Sequence, residues 1–152
     1  MTKVVLFDVA ITGEALRAVF VEFYRRVFTD VMIGFMFAGK DRQRLIDKEW
    51  ELAAALLGAP GVTYTGRPMR AAHAQHTIFG GQFERRLKIL KDVMAAQAVE
   101  PTVQHALVEH AEAMRAQVTR DTGSECKDTG EAASLRLART VDPDAPIKLG
   151  RR

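Results

Sequence analysis

The feature that most constrains the fold is the helical spacing of apolar residues in four separate stretches of the chain. In the first stretch, apolar and aromatic side chains recur at helical intervals and share one face, namely Leu16, Phe20, Phe23, Tyr24 and Val27. The later stretches repeat this spacing, and none shows the sustained alternation of apolar and polar residues that marks a strand. The sequence therefore predicts an all-α fold and argues against a sheet.

Capping and breaking residues delimit these helices. Thr12 is a suitable N-cap for the first helix, and Asp41 is a suitable N-cap for the second. The run Gly58-Ala59-Pro60-Gly61 should stop the second helix. A third helix is expected over about residues 82–97, and a fourth after the turn at 99–102.

The segments before and between the first two helices are less regular. Residues 31–39 are almost wholly apolar but contain two glycines, which predicts a compact buried corner with a short helix at most. The opening residues 4–7 are also apolar, and they fit either a strand or the start of a helix.

Size, charge and cysteine content limit the class of protein. With 152 residues, of which 47% are hydrophobic and 27% charged, the chain is expected to form one globular domain. The net charge of +3 is not concentrated in a basic stripe, which argues against a nucleic-acid partner. No apolar run approaches the roughly 20 residues that cross a bilayer, and the first residues do not resemble a secretory signal. The single Cys126 suits a reducing compartment, so a cytoplasmic location without a membrane partner is expected.

The composition changes near residue 120. From there to the end, the sequence is polar and rich in residues that form turns. We therefore expect a folded domain over residues 1–119 and a flexible or loosely docked C-terminal tail over residues 120–152.

The stretch from Tyr64 to His73 contains the strongest candidate for chemistry. A glycine-containing loop leads into a short segment in which His73 lies among small and apolar residues. A neutral imidazole is a common metal ligand, and one axial histidine is sufficient to hold haem iron. A lone histidine beside alanines is nevertheless more often a packed core or surface residue, so the rest of the chain has to decide between these interpretations.

Several motifs follow one another in a distinctive order. They are Phe23-Tyr24-Arg25-Arg26-Val27, Phe37-Ala38-Gly39, Arg44-Leu45, Ala53-Ala54-Ala55-Leu56-Leu57-Gly58 and Tyr64-Thr65-Gly66-Arg67-Pro68-Met69, followed by His73, Ile78 and Phe83. Over about residues 14–118, this arrangement resembles the truncated haemoglobins, most closely those of the first group. The resemblance implies a shortened globin fold, in which two antiparallel helix pairs cross around a haem, in preference to a generic four-helix bundle.

The resemblance also implies roles for individual residues. His73 matches the proximal iron ligand, and Tyr24 matches the distal tyrosine that donates a hydrogen bond to an iron-bound ligand. Leu45 and Glu49 match the two distal-helix positions that face this ligand, and Lys48 matches a position whose side chain often pairs with a haem propionate. The remaining haem-binding positions are Phe37, Met69, Ile78 and Phe83.

Two departures from the family pattern stand out. Ile11-Thr12 replaces a glycine pair, so a reshaped or shortened first helix is expected. Glu49 lies where the family typically has an amide such as glutamine. An ionised carboxylate only accepts hydrogen bonds, whereas burial in an apolar pocket favours its protonated form. Glu49 is therefore either protonated and a donor to the ligand, or ionised and bonded to Tyr24 or Lys48.

The implied function is the binding of O2, NO or another diatomic ligand at the iron of haem b. Oxygen transport, the conversion of nitric oxide to nitrate and peroxide chemistry all stay open, and the conversion would need an external reductase. Relatives that attach haem covalently use a histidine near the position of Ala116, so non-covalent haem is expected. Of the other histidines, His110 should lie in the core or at the haem edge, and His105 should be exposed. The alternative function is a ligand- or redox-sensing interaction module, with or without haem, that acts through the tail at 120–152.

Overall fold

The chain folds into helices joined by short connections. The structure is a computed structural model that describes residues 4–74 and 77–119. Its elements are α1 (Gly13–Thr29), a 3-10 turn (Gly34–Phe37), α2 (Arg42–Leu56), α3 (Met69–His73), α4 (Gly80–Ala96) and α5 (Pro101–Val118). The described ranges contain no strand, only an isolated bridge between Phe7 and Ile11. The all-α prediction is confirmed, and the predicted tail at 120–152 lies outside the described residues.

The predicted caps begin the two helices as expected. The Thr12 hydroxyl accepts a hydrogen bond from the Ala15 amide at 3.1 Å, and the Asp41 carboxylate accepts one from the Arg44 amide at 3.1 Å. Pro101 opens α5, where a missing amide proton has little cost because the first turn of a helix leaves its amides unpaired. Among these helices of the described chain, none is long and apolar enough to cross a membrane.

α1 lies at the centre of the fold. It packs against both α2 and α4, while α5 packs against α3 and α4. Full burial of a large apolar side chain contributes about 1.5–3 kcal/mol. The most deeply buried side chains form one core, namely Leu16, Val19, Phe20, Phe23, Val27, Ile33, Leu57, Leu87, Val93, Met94 and Val103. This core fixes the relative positions of the helices that carry the candidate site.

The segment before α1 is attached to α2. The Phe7 amide donates a hydrogen bond to the Leu57 carbonyl at 3.0 Å, and the Trp50 indole donates one to the Gly13 carbonyl at 3.0 Å. Residues 4–12 are neither a helix nor a strand, so both interpretations of the opening run are wrong. α1 itself has 17 residues and is not shortened. The departure expected at its start is therefore confined to the residues before it.

The prediction of a buried corner between α1 and α2 is wrong. Val31 and Phe35 are 94% and 69% exposed, and Ile33 is the one buried residue of this segment. The segment is tight because the Gly34 backbone closely approaches the end of α1, where an added Cβ would lie 2.9 Å from the Phe28 carbonyl oxygen. A 3-10 turn has three residues per turn, so only one side of it can face the core.

α2 has two distinct inward faces. Ile46 and Ala54 are buried in the core, whereas Leu45, Glu49 and Leu52 are half-buried and line a cavity. The stripe predicted for this helix is therefore its cavity face, and it lies beside the face that supports the core.

Candidate functional site

A cavity of about 330 Å³ is lined by residues of all five helices. Cofactor and small-molecule sites typically have volumes of about 300–1,000 Å³, so this cavity is large enough to be one. All nine side chains that the sequence singled out line it, namely Tyr24, Phe37, Leu45, Lys48, Glu49, Met69, His73, Ile78 and Phe83. Residues that are far apart in the chain are thus brought to one place.

His73 is held in a defined protonation form. It ends α3, a helix of five residues, and its ring Nδ1 lies 2.8 Å from the Met69 carbonyl oxygen. A carbonyl oxygen can only accept a hydrogen bond, so Nδ1 is the donor. In the neutral ring the lone pair then lies on Nε2. Metal-binding histidines have this arrangement, since their second nitrogen usually donates to a carbonyl or a carboxylate.

The loop before α3 is shaped by its tyrosine and its glycine. The Tyr64 hydroxyl donates a hydrogen bond to the Arg67 carbonyl at 2.8 Å. The Tyr64 ring lies against Gly66, and a Cβ at that position would overlap it. The glycine of this motif is therefore required by a close approach within the loop that leads to His73.

A polar cluster of Lys48, Glu51 and Thr65 ties the same loop to α2. Glu51 accepts hydrogen bonds from the Thr65 amide at 3.0 Å and the Thr65 hydroxyl at 2.9 Å, and these bonds hold the pKa of Glu51 below its ordinary value. The Lys48 ammonium contacts the same hydroxyl and lies 3.4 Å from Glu51. Lys48 therefore lines the cavity with its charge partnered by Glu51, and its pairing with a propionate stays a prediction.

Tyr24 reaches the cavity from α1. It is only 4% exposed, and its ring packs edge-on against Phe23 at 4.9 Å and Phe37 at 6.4 Å between centroids. Burial raises the pKa of Tyr24, and the neighbouring charge of Glu49 raises it further. The hydroxyl therefore keeps its proton throughout the physiological range and can serve as a hydrogen-bond donor.

Glu49 pairs with a residue that the sequence analysis missed. Arg86 Nη2 donates to Glu49 Oε1 at 2.9 Å, and the guanidinium carbon lies 4.8 Å from the centre of the Phe23 ring. The Tyr24 hydroxyl is within hydrogen-bonding range of both Glu49 and Arg86. This corrects the expected pairing of Glu49, because Lys48 is bonded elsewhere. An ion pair with Arg86 favours the ionised carboxylate.

Arg86 lies on the cavity face of α4 because of its register. It follows Phe83 by three residues and precedes Leu90 by four, and both of those residues line the cavity. Burial alone would lower the pKa of Arg86, but Glu49 and Tyr24 keep that pKa above its ordinary value. The signal that would have revealed this residue is a basic side chain at an apolar register of α4 together with an acidic one at an apolar register of α2.

Positive charge also gathers at the exposed edge of the cavity. Lys40, Arg44 and Arg67 line the cavity and are exposed, and Lys48 is half-buried. Guanidinium and ammonium groups are the usual partners of carboxylates. This edge therefore suits a ligand that has an apolar body and acidic groups at its periphery.

The described histidines other than His73 lie where the sequence suggested. His110 lines the cavity, and its Nε2 is buried without a hydrogen-bond partner among the described residues. The His105 side chain is 80% exposed. Ala116 is exposed and does not line the cavity.

The sequence pattern of the bacterial-like globin family matches residues 5–120, which is most of the chain. The chain belongs to this family. The globin is also similar to a group 1 truncated haemoglobin of Mycolicibacterium paratuberculosis, with 37% identity over 86 residues. That match covers 57% of this chain and 62% of the relative's length.

Solved structures share the fold of this globin. The Fe(III) form of truncated haemoglobin from Tetrahymena pyriformis matches with a TM-score of 0.64 and 22% identity, covering 70% of this chain and 90% of that one. A truncated haemoglobin of Chlamydomonas reinhardtii matches with a TM-score of 0.58 and 20% identity, covering 71% of this chain and 89% of that one. The expected shortened globin fold is confirmed. Membership of the family implies that this globin binds diatomic ligands through a haem.

The residues around the cavity fit a haem. The walls are largely apolar, as a porphyrin ring requires, and the tautomer of His73 is the one that ligates a metal. Exposed cations at the edge suit acidic substituents of such a ring. The buried Nε2 of His110 adds a polar atom that nothing among the described residues satisfies.

Proposed function

We propose that this globin binds haem b non-covalently in the cavity, with His73 as its protein ligand to iron, and uses it to bind O2 or another diatomic ligand. The observation that carries this proposal is the hydrogen bond from His73 Nδ1 to the Met69 carbonyl, because it leaves the ring lone pair on Nε2 within the lining of the cavity. Phe37, Met69, Ile78 and Phe83 would enclose the ring, and Leu45 would shield the ligand.

The Tetrahymena protein supports the assignment of the distal residues. Its Fe(III) structures include one variant with a tyrosine changed to phenylalanine and two variants in each of which a glutamine is changed to glutamate. Those glutamines follow the tyrosine by 21 and 25 residues, the separations by which Leu45 and Glu49 follow Tyr24. Glutamate at the second position is thus the natural residue of this globin.

The proposed attachment is non-covalent, with the acidic groups of the haem at the cationic edge. Lys40, Arg44 and Arg67 are exposed and free to orient toward carboxylates, while Lys48 would have to share its charge between Glu51 and the haem. Ala116, the position at which relatives carry an attaching histidine, has no reactive side chain and lies off the cavity.

Several chemistries are compatible with this site. A bound haem would supply reversible ligand binding when ferrous, which serves oxygen storage or transport, and redox chemistry toward nitric oxide or peroxide. Conversion of one NO and one O2 to nitrate consumes one electron, so turnover would need an external reductase. Tyr24, Glu49 and Arg86 would set the polarity around the ligand, and that polarity decides between storage and reaction. The single cysteine supports our proposal of a cytoplasmic location.

The first test is haem binding by matched histidine variants. The purified protein is titrated with haemin, and we expect saturation at one haem per chain with a Soret band. His73→Ala should abolish the axial ligation seen in the ferrous and ferric spectra, because it removes the lone pair that holds iron. His105→Ala is the control, since that side chain is exposed on α5.

The outcomes separate the proposed functions. A wild-type protein that takes up no haem would contradict the proposal and favour the haem-free interaction module. Equal spectra for wild type and His73→Ala would contradict the assignment of His73. Consumption of NO by the oxygenated protein, with a chemical reductant regenerating the ferrous state, would distinguish an enzyme from a carrier.

A further inference from the structure

We propose that Arg86 makes this cavity a binding site for small inorganic anions at ferric haem, and that Glu49 competes with such an anion for the guanidinium. The inference rests on the proposed function, because the anion would occupy the coordination position on the side of Tyr24. It assigns a ligand class to a residue that the family pattern did not predict.

The first argument is the position of the charge. The Arg86 side chain lines the cavity, is only 26% exposed, and stacks on Phe23 in the core. The other basic side chains that line the cavity among the described residues lie at its exposed edge or, like Lys48, are partnered by Glu51. Arg86 is therefore the cation that faces the enclosed part of the site.

The second argument is the count of donors and acceptors. An ionised carboxylate only accepts and a guanidinium only donates, so a hydroxyl between them accepts from Arg86 and donates to Glu49. The one proton of Tyr24 is then directed to Glu49. A guanidinium has five N–H donors, of which the structure shows one, on Nη2, given to Glu49. The donors that remain for a ligand belong to Arg86 rather than to Tyr24.

The third argument is the low polarity of the surroundings. A charge in a site with apolar walls interacts more strongly with another charge than it would in water. An anion entering the cavity is therefore stabilised by Arg86 and repelled by Glu49. A neutral ligand experiences both effects weakly. The ion pair thus distinguishes ligands by charge, and the carboxylate limits how tightly an anion is held.

The experiment compares anionic and neutral ligands in matched variants. Ferric protein is titrated with azide and with fluoride by absorption spectroscopy, and ferrous protein with CO as the neutral reference. Arg86→Met should weaken azide binding about 10- to 100-fold, the change expected when a hydrogen bond to a charged group is lost. Glu49→Gln should tighten azide binding about three- to tenfold, because it removes the repelling charge and releases Arg86.

Two controls isolate the position of the charge. Lys88→Met removes one positive charge from an exposed site on α4, where Lys88 pairs with Asp92, and should leave azide binding unchanged. Arg86→Lys keeps the charge but not the planar set of donors and should retain an intermediate affinity. CO affinity should change far less than azide affinity in every variant.

A readout without iron tests the pair itself. Unfolding of the haem-free chain by urea is followed for Glu49→Gln, Arg86→Met and the double variant. A double-mutant cycle should show that the two substitutions are not additive, since either one alone leaves a charge unpaired. Glu49→Gln gives an independent result if Arg86→Met does not fold.

The outcomes distinguish this inference from the proposed function. A wild type without a Soret band would overturn the haem proposal and this inference with it. A normal Soret band, with azide affinity unchanged in Arg86→Met or weakened in Glu49→Gln, would overturn the anion site alone. An equal loss of azide and CO affinity in Arg86→Met would indicate a structural role and would also overturn it.

Discussion

At the scale of single residues, three polar side chains in the cavity satisfy one another. A charge buried without a partner is costly, and hydrogen-bonded pairing offsets that cost. Glu49 and Arg86 neutralise each other, and the Tyr24 hydroxyl completes the group as both acceptor and donor. The pair explains how two charged residues can lie at positions of α2 and α4 where apolar residues would otherwise be expected.

The raised pKa of Tyr24 predicts a loss of stability at alkaline pH. The folded state keeps the phenol protonated at a pH where the unfolded chain, with a tyrosine pKa of about 10, has lost the proton. The stabilising contribution of Tyr24 is thus complete below pH ~10 and falls as the pH rises above it. In urea unfolding between pH 8 and 11, Tyr24→Phe should show a shallower decline in unfolding free energy than wild type.

Tyr64→Phe is the comparison for that measurement. Burial also raises the pKa of Tyr64, but this side chain is half-buried in the loop before α3, so its effect should be smaller. Parallel declines in wild type and Tyr24→Phe would show that the Tyr24 hydroxyl titrates normally in the folded protein.

At the scale of secondary structure, Asp30 joins three elements. It follows α1, and its Oδ1 accepts hydrogen bonds from the amides of Met32 and Ile33 at 2.9 and 3.1 Å. Its Oδ2 lies 2.6 Å from Nη2 of Arg85 on α4, and the Asp30 side chain is only 6% exposed. The Arg85 hydrogen bond, supported by the two amides, lowers the pKa of Asp30. One carboxylate thus fixes the turn that carries Phe37 and attaches it to α4.

Asp30→Ala should destabilise the protein by about 1–3 kcal/mol at pH 7, because it leaves buried donors without an acceptor. A carboxyl whose pKa is lowered in the folded state stabilises above its unfolded pKa of about 4, and this contribution is lost as the pH falls below it. The difference between wild type and variant should therefore shrink in acid. Thermal or urea unfolding at pH 7 and pH 3 measures both effects.

Asp92→Ala is the matched control for Asp30. Asp92 pairs with Lys88 on one exposed face of α4, and such surface pairs contribute about 0–1 kcal/mol. A loss of stability in Asp92→Ala as large as that in Asp30→Ala would show that burial does not determine the effect.

The sequence predicted these elements unevenly. Caps are local interactions, so Thr12 and Asp41 could be identified from the residues around them. The run at 31–39 was misread because apolar composition alone does not say which side of a tight turn faces the core. The face of α2 toward the cavity was found by its spacing, but only the fold shows that it differs from the face toward the core.

At the scale of the whole molecule, all nine predicted site residues line one cavity, yet Arg86 was not among them. The nine follow from motif order, which a family resemblance preserves. Arg86 lies 37 residues from Glu49, and the pairing depends on how α2 and α4 meet across the cavity. No local pattern around either residue contains that information.

The predicted limit of the domain can be tested by removing residues 120–152. The family match ends at residue 120, and the buried core extends only from Ile11 to Leu107. A chain of residues 1–119 should therefore keep the helical circular-dichroism spectrum, the haem stoichiometry and the O2 dissociation rate of the full chain. Because core burial and the cavity lining both lie within residues 1–119, nothing in the described fold requires more of the chain. A shortened chain that folds and binds haem but releases O2 at a clearly different rate would contradict this expectation, and it would favour a sensing module that acts through the C-terminal residues.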